Sequence, residues 1–334
     1  MTPSHATLVT GATGFLGSHI CRALVQRGDR VRALHRPTSN LAALEGLRLE
    51  LVTGDLLDPD SLAHAMRGVG TLYHVAAESA YWRNPGEVLR AAVAGTHYVL
   101  EAALQADVRT VVLTSSVAAL GVPEPGRLLD ETHAFSLPQD AFPYGFAKHQ
   151  AELTALRMAE GRMHLVIVNP SLVLGAGDLN RISGSFILET ARGWSFVYND
   201  GGANVVHIDD VTEGHLAAAE RGSSGERYIL GGENLTHREI LAGACRIVGK
   251  RPPWLRVPNA ILSPLAAVAD FAGRVIPLPI NGAQLRMSRH RLWVDTSKAR
   301  RELGLPAPKP FLLAAQEAYD WYVRQGYLPR RGDP

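Results

Sequence analysis

The chain predicts an α/β fold, a doubly wound parallel sheet with a smaller C-terminal lobe, and three observations carry that prediction. The first 170 residues alternate short β-branched runs with stretches of helical length and pattern. Those runs are near-continuously apolar, as strands covered on both faces must be, whereas a half-exposed strand would alternate apolar and polar residues. Beyond Pro170 the pattern loosens, returns to strand character at 204–210 and 227–232, and then turns helical with many prolines. Parallel strands need crossover connections, so the alternation implies helices on both sheet faces. The expected division is residues 1–170 as the sheet domain, with 203–232 returning to the sheet, and 171–334 as an interleaved second lobe.

Taken in order, "ATLVT" (6–10) opens the sheet and "VTGATGFLGSHI" turns it into a helix. "RVRAL" (30–34), "RLELVTG" (48–54), "TLYHVA" (71–76), "RTVVLTS" (109–115) and "HLVIVNP" (164–170) supply five more strands. Helices are expected at roughly 86–105 and 144–160, the second started by Pro143, whose missing N–H suits a first helical position. The stretch "VPNAILSPLAAVADFAGRVIPLPI" (257–280) is long and apolar, but Asn259, Asp270, Arg274 and several prolines interrupt it. It reads as a buried or groove-lining helix rather than a membrane span. The last residues, "PRRGDP", read as disordered.

Composition narrows the function. With 34 basic and 32 acidic residues and no lysine-rich run, the chain lacks the electrostatic footprint of a nucleic-acid binder. Cys21 and Cys245 are too few and too far apart for a disulfide framework or a metal cluster, the histidines lack metal-ligand spacing, and the N-terminus carries no signal-peptide pattern. A reducing, cytoplasmic home without a metal is expected.

Gly11, Gly14 and Gly17 follow the first strand three apart. They put bare backbone N–H groups and a helix N-terminus where a pyrophosphate can sit, although the spacing is not the G-x-G-x-x-G fingerprint and a plain strand-to-helix turn is the alternative. A carboxylate near the end of the second strand would hold the ribose hydroxyls of NAD, but residues 30–44 contain no acid. Arg36 stands there instead, and a guanidinium suits the 2′-phosphate of NADP. Asp55, in "GDLLD" after the third strand, is offered to the adenine amino group.

Tyr144 and Lys148 form a Tyr-x-x-x-Lys pair in a chain with nine tyrosines and four lysines, where chance supplies about 0.1 such pairs. Side chains at i and i+4 share a helix face. A tyrosine needs its pKa lowered by roughly three units to exchange protons near neutrality, worth about 4 kcal/mol, and one ammonium about 4 Å away at an effective dielectric of 20 supplies about that. Thr114, Ser115 and Ser116 end the fifth strand, and a hydroxyl there suits a substrate carbonyl oxygen, though strand-end hydroxyls are also common caps.

"VTGATGFLGSH", "GDLLD", "HVAA", "TSSVAALG", "YGFAK", "VVHIDDVTEGHLAA", "RYILGGENLT" and "DTSKARRELG" resemble, in order, segments of the extended short-chain dehydrogenase/reductases, the superfamily of sugar-nucleotide epimerases and dehydratases. Within it the chain is most similar to dihydroflavonol-reductase-like and hopanoid-associated sugar-epimerase-like proteins. The resemblance implies a Rossmann sheet with a substrate-binding second lobe, and a catalytic set of Ser116, Tyr144 and Lys148, Ser116 being preferred because it precedes Gly121 by five residues. It implies cofactor contacts from Gly11, Thr13, Gly14, Phe15, Leu16, Gly17, Arg36, Asp55 and Leu56. Further contacts are implied from Ala76, Ala77, Thr114, Tyr144 and Lys148, and from Asn169, Pro170, Ser171 and Leu172 on the nicotinamide side. His207, Asp209 and Asp210 look like a structural segment rejoining the lobes. The two long helices are expected to pair across a two-fold axis in a homodimer, with Val99, Ala103, Phe146 and Leu153 at the interface.

Two positions depart from the family: Ala92 replaces a frequent asparagine, and Asn169 replaces the arginine that precedes the proline in many sugar-nucleotide enzymes. The function expected is NADP-dependent reduction of a ketone or aldehyde, with NAD as the other cofactor choice. The alternatives are a sugar-nucleotide epimerase or dehydratase and a non-catalytic dinucleotide-binding regulator.

Overall fold

The computed structural model describes residues 5–77, 85–181, 183–193, 195–272 and 282–328. The first part alternates strand and helix: β1 (Ala6–Thr10), α1 (Phe15–Gln26), β2 (Val31–His35), β3 (Glu50–Thr53), α2 (Pro59–Met66), β4 (Val69–His74), α3 (Pro85–Gln105), β5 (Thr110–Thr114), α4 (Pro143–Ala159) and β6 (His164–Pro170). The chain continues through β7 (Leu172–Leu174), α5 (Ser185–Ala191), β8 (Val197–Tyr198), β9 (Gly202–His207), α6 (Ile208–Arg221), β10 (Arg227–Leu230), β11 (Glu233–Thr236) and α7 (His237–Val248). It ends with β12 (Leu255–Arg256), α8 (Asn259–Ala272), α9 (Gly282–Ser288), β13 (Arg291–Leu292), α10 (Ser297–Glu302) and α11 (Phe311–Arg324).

Seven strands form the main sheet in the order β10-β6-β5-β4-β1-β2-β3, every pair parallel. The chain starts in the middle, winds out to β3 and crosses back to β4 on the other side of β1. That reversal opens a crevice beyond the C-terminal ends of β1 and β4, where open α/β sheets take their ligands.

Successive residues of the apolar strands serve opposite cores. Leu8, Val111, Leu165 and Ile167 pack with Leu62 and Met66 of α2, Leu100 of α3 and Ala155 of α4. Val9, Val112, Val166 and Val168 pack on the other face with Ile20 and Leu24 of α1, Val211 and Ala218 of α6, and Ala299 of α10. The second lobe has its own core, built from Leu174, Ile187, Val205, Ile240, Phe311 and Tyr322. Its helix α7 is delimited by local chemistry, a Thr236–Glu239 capping box at the start and Gly249 at φ 75° after the end.

Three expectations are corrected. Of the segment 203–232, β10 joins the main sheet and α6 covers it, but β9 pairs with β7, β11 and β13 in a separate four-stranded sheet. A buried apolar strand reads alike in either sheet. Val99 and Ala103 are fully buried beneath α3 and face the sheet, so they form no outer face for a second subunit. Helix α8 buries Leu262, Ala266 and Ala269 but leaves Ile261, Leu265 and Val268 exposed, so it is neither a buried helix nor a wholly groove-lining one. The expected disorder of "PRRGDP" falls on 329–334, outside the described residues. Among the described residues no helix is long and apolar enough to cross a membrane.

Candidate active site

The crevice is built first by glycines. Gly11 leaves β1 at φ 65°, and a Cβ there would stand 2.7 Å from the Ala76 Cα at the end of β4. A Cβ on Gly17 would stand 2.1 Å from the Gly11 carbonyl oxygen. No other residue fits either position without moving backbone. The Gly14 N–H donates to the Gly11 carbonyl at 3.0 Å, and Gly14 caps α1 with no side-chain cap and no acid in the first turn. Thr13, Phe15 and Leu16 are half-buried around that turn. The helix N-terminus thus keeps free N–H groups and positive dipole for an anion, and the glycine cradle fits a pyrophosphate.

The loop beside it is held from below. His74 is buried, with Nδ1 2.8 Å from Thr10 Oγ1 and Nε2 3.4 Å from Thr96 Oγ1. Thr10 Oγ1 accepts the Ala76 N–H at 3.2 Å, which fixes the entry to Ala76 and Ala77. Burial, reinforced by the nearby Lys148 ammonium, pushes His74 down to about 3, so it stays neutral. Sequence reasoning missed this residue, because its partner Thr10 lies on another strand, 64 positions away, and no spacing in the sequence marks the pair.

At the adenosine end, Arg36 is exposed just past β2, its N–H donating to Ser39 Oγ. Asp55 follows β3, where its Oδ1 accepts the Leu57 N–H at 2.9 Å. One carboxylate oxygen therefore shapes the turn. Leu56 is half-buried and faces Gly95 of α3.

The reacting end lies where β5, α4 and β6 meet. Helix α4 starts at Pro143, placing Tyr144 in its first turn and Lys148 one turn on. Gly145 lets the helix press against the 3-10 turn Val117–Leu120, since a Cβ there would stand 2.5 Å from the Ala118 carbonyl oxygen. Ser116 caps that turn, its Oγ accepting the Ala118 N–H at 3.2 Å and keeping its own O–H to donate. Thr114 differs from expectation: its hydroxyl is turned inward to His215 Nε2 at 2.9 Å, so only its backbone faces α4. His215 also bonds the Val211 carbonyl, and burial pushes it down to about 4.

Lys148 is no solvated lysine. Its side chain is buried and Nζ donates to the Thr114 carbonyl at 3.1 Å. Desolvation pushes it down to about 8, opposed by the Glu152 carboxylate one turn later. Glu152 is itself buried, accepting from Asn169 Nδ2 at 2.7 Å and paired with Arg227 Nε at 2.8 Å. Asn169 Nδ2 also donates to the Ser116 carbonyl at 2.9 Å. The Asn169 side chain is therefore turned into the protein and away from the nicotinamide side, correcting the sequence reading. Of its neighbours, Pro170 is buried, Leu172 is half-buried, and Ser171 Oγ donates to Asn204 Oδ1 at 2.6 Å.

His207 Nδ1 accepts the Asp209 N–H and its Nε2 lies 3.0 Å from Glu317 Oε2, while Asp210 accepts the Lys309 N–H. These contacts tie α6 to the second lobe. Among the described residues no group of histidine, cysteine and acidic side chains could hold a metal.

The structure thus brings Ser116, Tyr144 and Lys148 to one edge of the sheet that also carries the glycine cradle. At this edge Ser116 keeps a hydroxyl able to donate, and Lys148 places a buried cation one helical turn from Tyr144. The chain is similar to known proteins over most of its length. The sequence profile of the NAD dependent epimerase/dehydratase family matches residues 7–231. The chain is 37% identical over 330 residues to a Synechocystis protein named as a candidate dihydroflavonol 4-reductase, covering 96% of this chain and 95% of that one. It is 36% identical over 254 residues to cinnamoyl-CoA reductase 2 of Medicago truncatula, covering 70% and 75% of the two chains. The solved structure of a nucleoside-diphosphate-sugar epimerase from Pseudomonas aeruginosa superimposes with a TM-score of 0.83 at 28% identity, covering 97% of this chain and 99% of that one. With its sheet order, glycine cradle and Tyr-x-x-x-Lys helix accounted for, the chain belongs to the NAD-dependent epimerase/dehydratase family of extended short-chain dehydrogenase/reductases and is an NAD(P)-dependent enzyme of that type.

Proposed function

We propose that the protein reduces a ketone or aldehyde with NADPH, Tyr144 donating the proton. The observation that carries this reading is Lys148: a buried ammonium one helical turn from a tyrosine, fixed by the Thr114 carbonyl at the C-terminal end of β5. The reductase names of two relatives support it. The reduced nicotinamide, when bound, supplies the hydride. Gly11, Thr13, Gly14, Phe15, Leu16 and Gly17 would hold its pyrophosphate side. Asp55, Leu56, Ala76 and Ala77 would flank the adenosine half, and Pro170, Ser171 and Leu172 the nicotinamide half. Tyr144 gives its phenolic proton to the carbonyl oxygen as charge develops there. Ser116 donates its O–H to the same oxygen, and its other bond, to Ala118, sets the hydroxyl's direction. Lys148 stabilises the phenolate left on Tyr144 and has further N–H donors for the ribose.

Arg36, and the lack of an acid between residues 30 and 44, favour NADP over NAD. Equal affinity of the wild type for NADPH and NADH would remove that preference, and Arg36→Ala is expected to weaken NADPH alone. Oxidation of NADPH by a panel of ketones and aldehydes tests the reaction. An epimerase reading is supported by the nucleotide-sugar name of the Pseudomonas structure. It requires nicotinamide retained through purification and turnover of nucleotide sugars without added cofactor.

We further read residues 1–170, with α6 and β10, as the dinucleotide-binding unit of a cytoplasmic enzyme, consistent with the buried, unpaired Cys21 and Cys245. A second copy would pair through the groove of about 780 Å³ between α3 and α4, lined by Leu89, Val93, Tyr98, Phe146 and Gln150.

A further inference from the structure

Exposed large apolar side chains are concentrated in one part of the second lobe. Ile261, Leu265 and Val268 are 53%, 45% and 62% exposed and lie at i, i+4 and i+7 on α8, forming a single stripe. The stripe is adjacent to the buried one of Leu262, Ala266 and Ala269, and the exposed residues Ala260, Pro264 and Ala267 extend it. A helix apolar on nearly all sides is normally covered; among the described residues this one is buried on one side only. Trp254, 72% exposed, stacks on Phe196 at 6.4 Å between centroids, and the exposed Leu255 follows it into β12, three residues before α8.

The charged surroundings lean to one sign, although Arg256 is held by Asp200 at 2.7 Å. Among the described residues of 240–294 there are seven arginines and lysines and one acid, Asp270, in a chain whose net charge is only +2. Asp270 is already neutralised by Arg286 at 2.8 Å. Arg289 is exposed and borders the first two turns of α8, its carbonyl accepting from Asn259 Nδ2 and its guanidinium reaching Ser263 Oγ at 3.4 Å. Lys250 and Arg251 are exposed just ahead of Trp254.

An apolar helical stripe, an exposed tryptophan five residues ahead of the helix and neighbouring cations are the combination by which a helix lies in the plane of a lipid surface. We infer that α8 and the Phe196–Trp254 pair form a monotopic docking face for a bilayer bearing anionic headgroups. The apolar stripe enters the acyl boundary, Trp254 sits at headgroup level, and Lys250, Arg251 and Arg289 meet the lipid phosphates. A cationic surface recruiting nucleic acid would have no use for Leu265 and Val268, so the stripe decides between the two polyanions. The inference is independent of which carbonyl the enzyme reduces.

Sedimentation of the purified protein with phosphatidylcholine vesicles containing phosphatidylglycerol, and with phosphatidylcholine vesicles alone, reads the docking directly. The expected result is cosedimentation with the anionic vesicles that weakens as salt is raised, and a loss of roughly tenfold or more for Leu265→Asp/Val268→Asp. Both side chains are exposed, so the double variant should keep the wild-type circular dichroism and the wild-type rate on a soluble carbonyl. Trp254 emission should shift to the blue with anionic vesicles, a shift absent in Trp254→Phe. No cosedimentation at low salt, or equal cosedimentation of variant and wild type, would overturn the inference. So would binding to duplex DNA as tight as to vesicles and unchanged in the double variant, or a lipid-free dimer that the double variant splits, since the face would then be a plain cationic patch or a contact between two copies.

Discussion

The main sheet and the second lobe solve the burial problem differently. In the main sheet the apolar residues of the central strands enter packed layers, Val111 and Val112 in opposite cores, and several polar groups in the interior are paired: His74 with Thr10, His215 with Thr114, Glu152 with Asn169 and Arg227. In the second lobe β8, β12 and β13 are two residues long and α8 shows one apolar stripe to solvent. The first region is built to hold groups still; the second presents surface. A rigid sheet edge with an adaptable lobe above it is the division expected where one cofactor meets variable substrates.

Substitutions in the two regions should differ in their cost. The broadest effect is expected at Gly17→Ala, where a methyl group meets the Gly11 carbonyl oxygen: a loss of about 3 kcal/mol of stability together with loss of dinucleotide binding. Urea unfolding and NADPH titration measure both, and an unaltered midpoint would show that the cradle is not tight. Leu100→Ala, in the sheet-facing core, should cost about 2–5 kcal/mol and leave the site chemistry intact.

Acid sensitivity is next. His74 and His215 sit at about 3 and about 4 in the folded protein, below the ordinary value of 6.5, so the unfolded chain binds more protons between those limits. Stability is therefore fully present above pH 6.5 and is lost as pH falls through that window. Each histidine should cost about 2 kcal/mol between pH 7 and pH 5, and His215→Gln should remove one share from the urea-midpoint profile. The smallest effect is expected at Leu265→Ser on the exposed stripe of α8, within about 0.5 kcal/mol. A fall as large as that of Leu100→Ala would erase the contrast between the regions.

The same contrast governs what the sequence reveals. The strand alternation, the glycine cradle and Tyr144–Lys148 are legible because each is local: a period, a φ near 65° beside a close backbone approach, a fixed i, i+4 spacing. What stays hidden is pairing across distance. Glu152 reaches Asn169 over 17 positions, Thr10 reaches His74 over 64, and Thr114 reaches His215 over 101, so none shows a spacing rule. Thr114 reads as a free hydroxyl and Asn169 as a cofactor neighbour because their acceptors lie on other elements. Strand β9 reads as part of the main sheet because burial is visible in a sequence and the identity of the neighbour is not. Val99 and Ala103 read as interface through the family resemblance, and only packing shows that their side of α3 meets the sheet.

We propose that Lys148 is buried to serve Tyr144, and Tyr144→Phe is the substitution that tests this role. The substitution keeps the ring and removes the proton donor. With a carbonyl substrate found by NADPH oxidation, turnover should fall by roughly 10²–10⁴-fold while the NADPH dissociation constant stays at its wild-type value. Wild-type turnover from Tyr144→Phe would contradict the account and leave Lys148 as a buried structural cation.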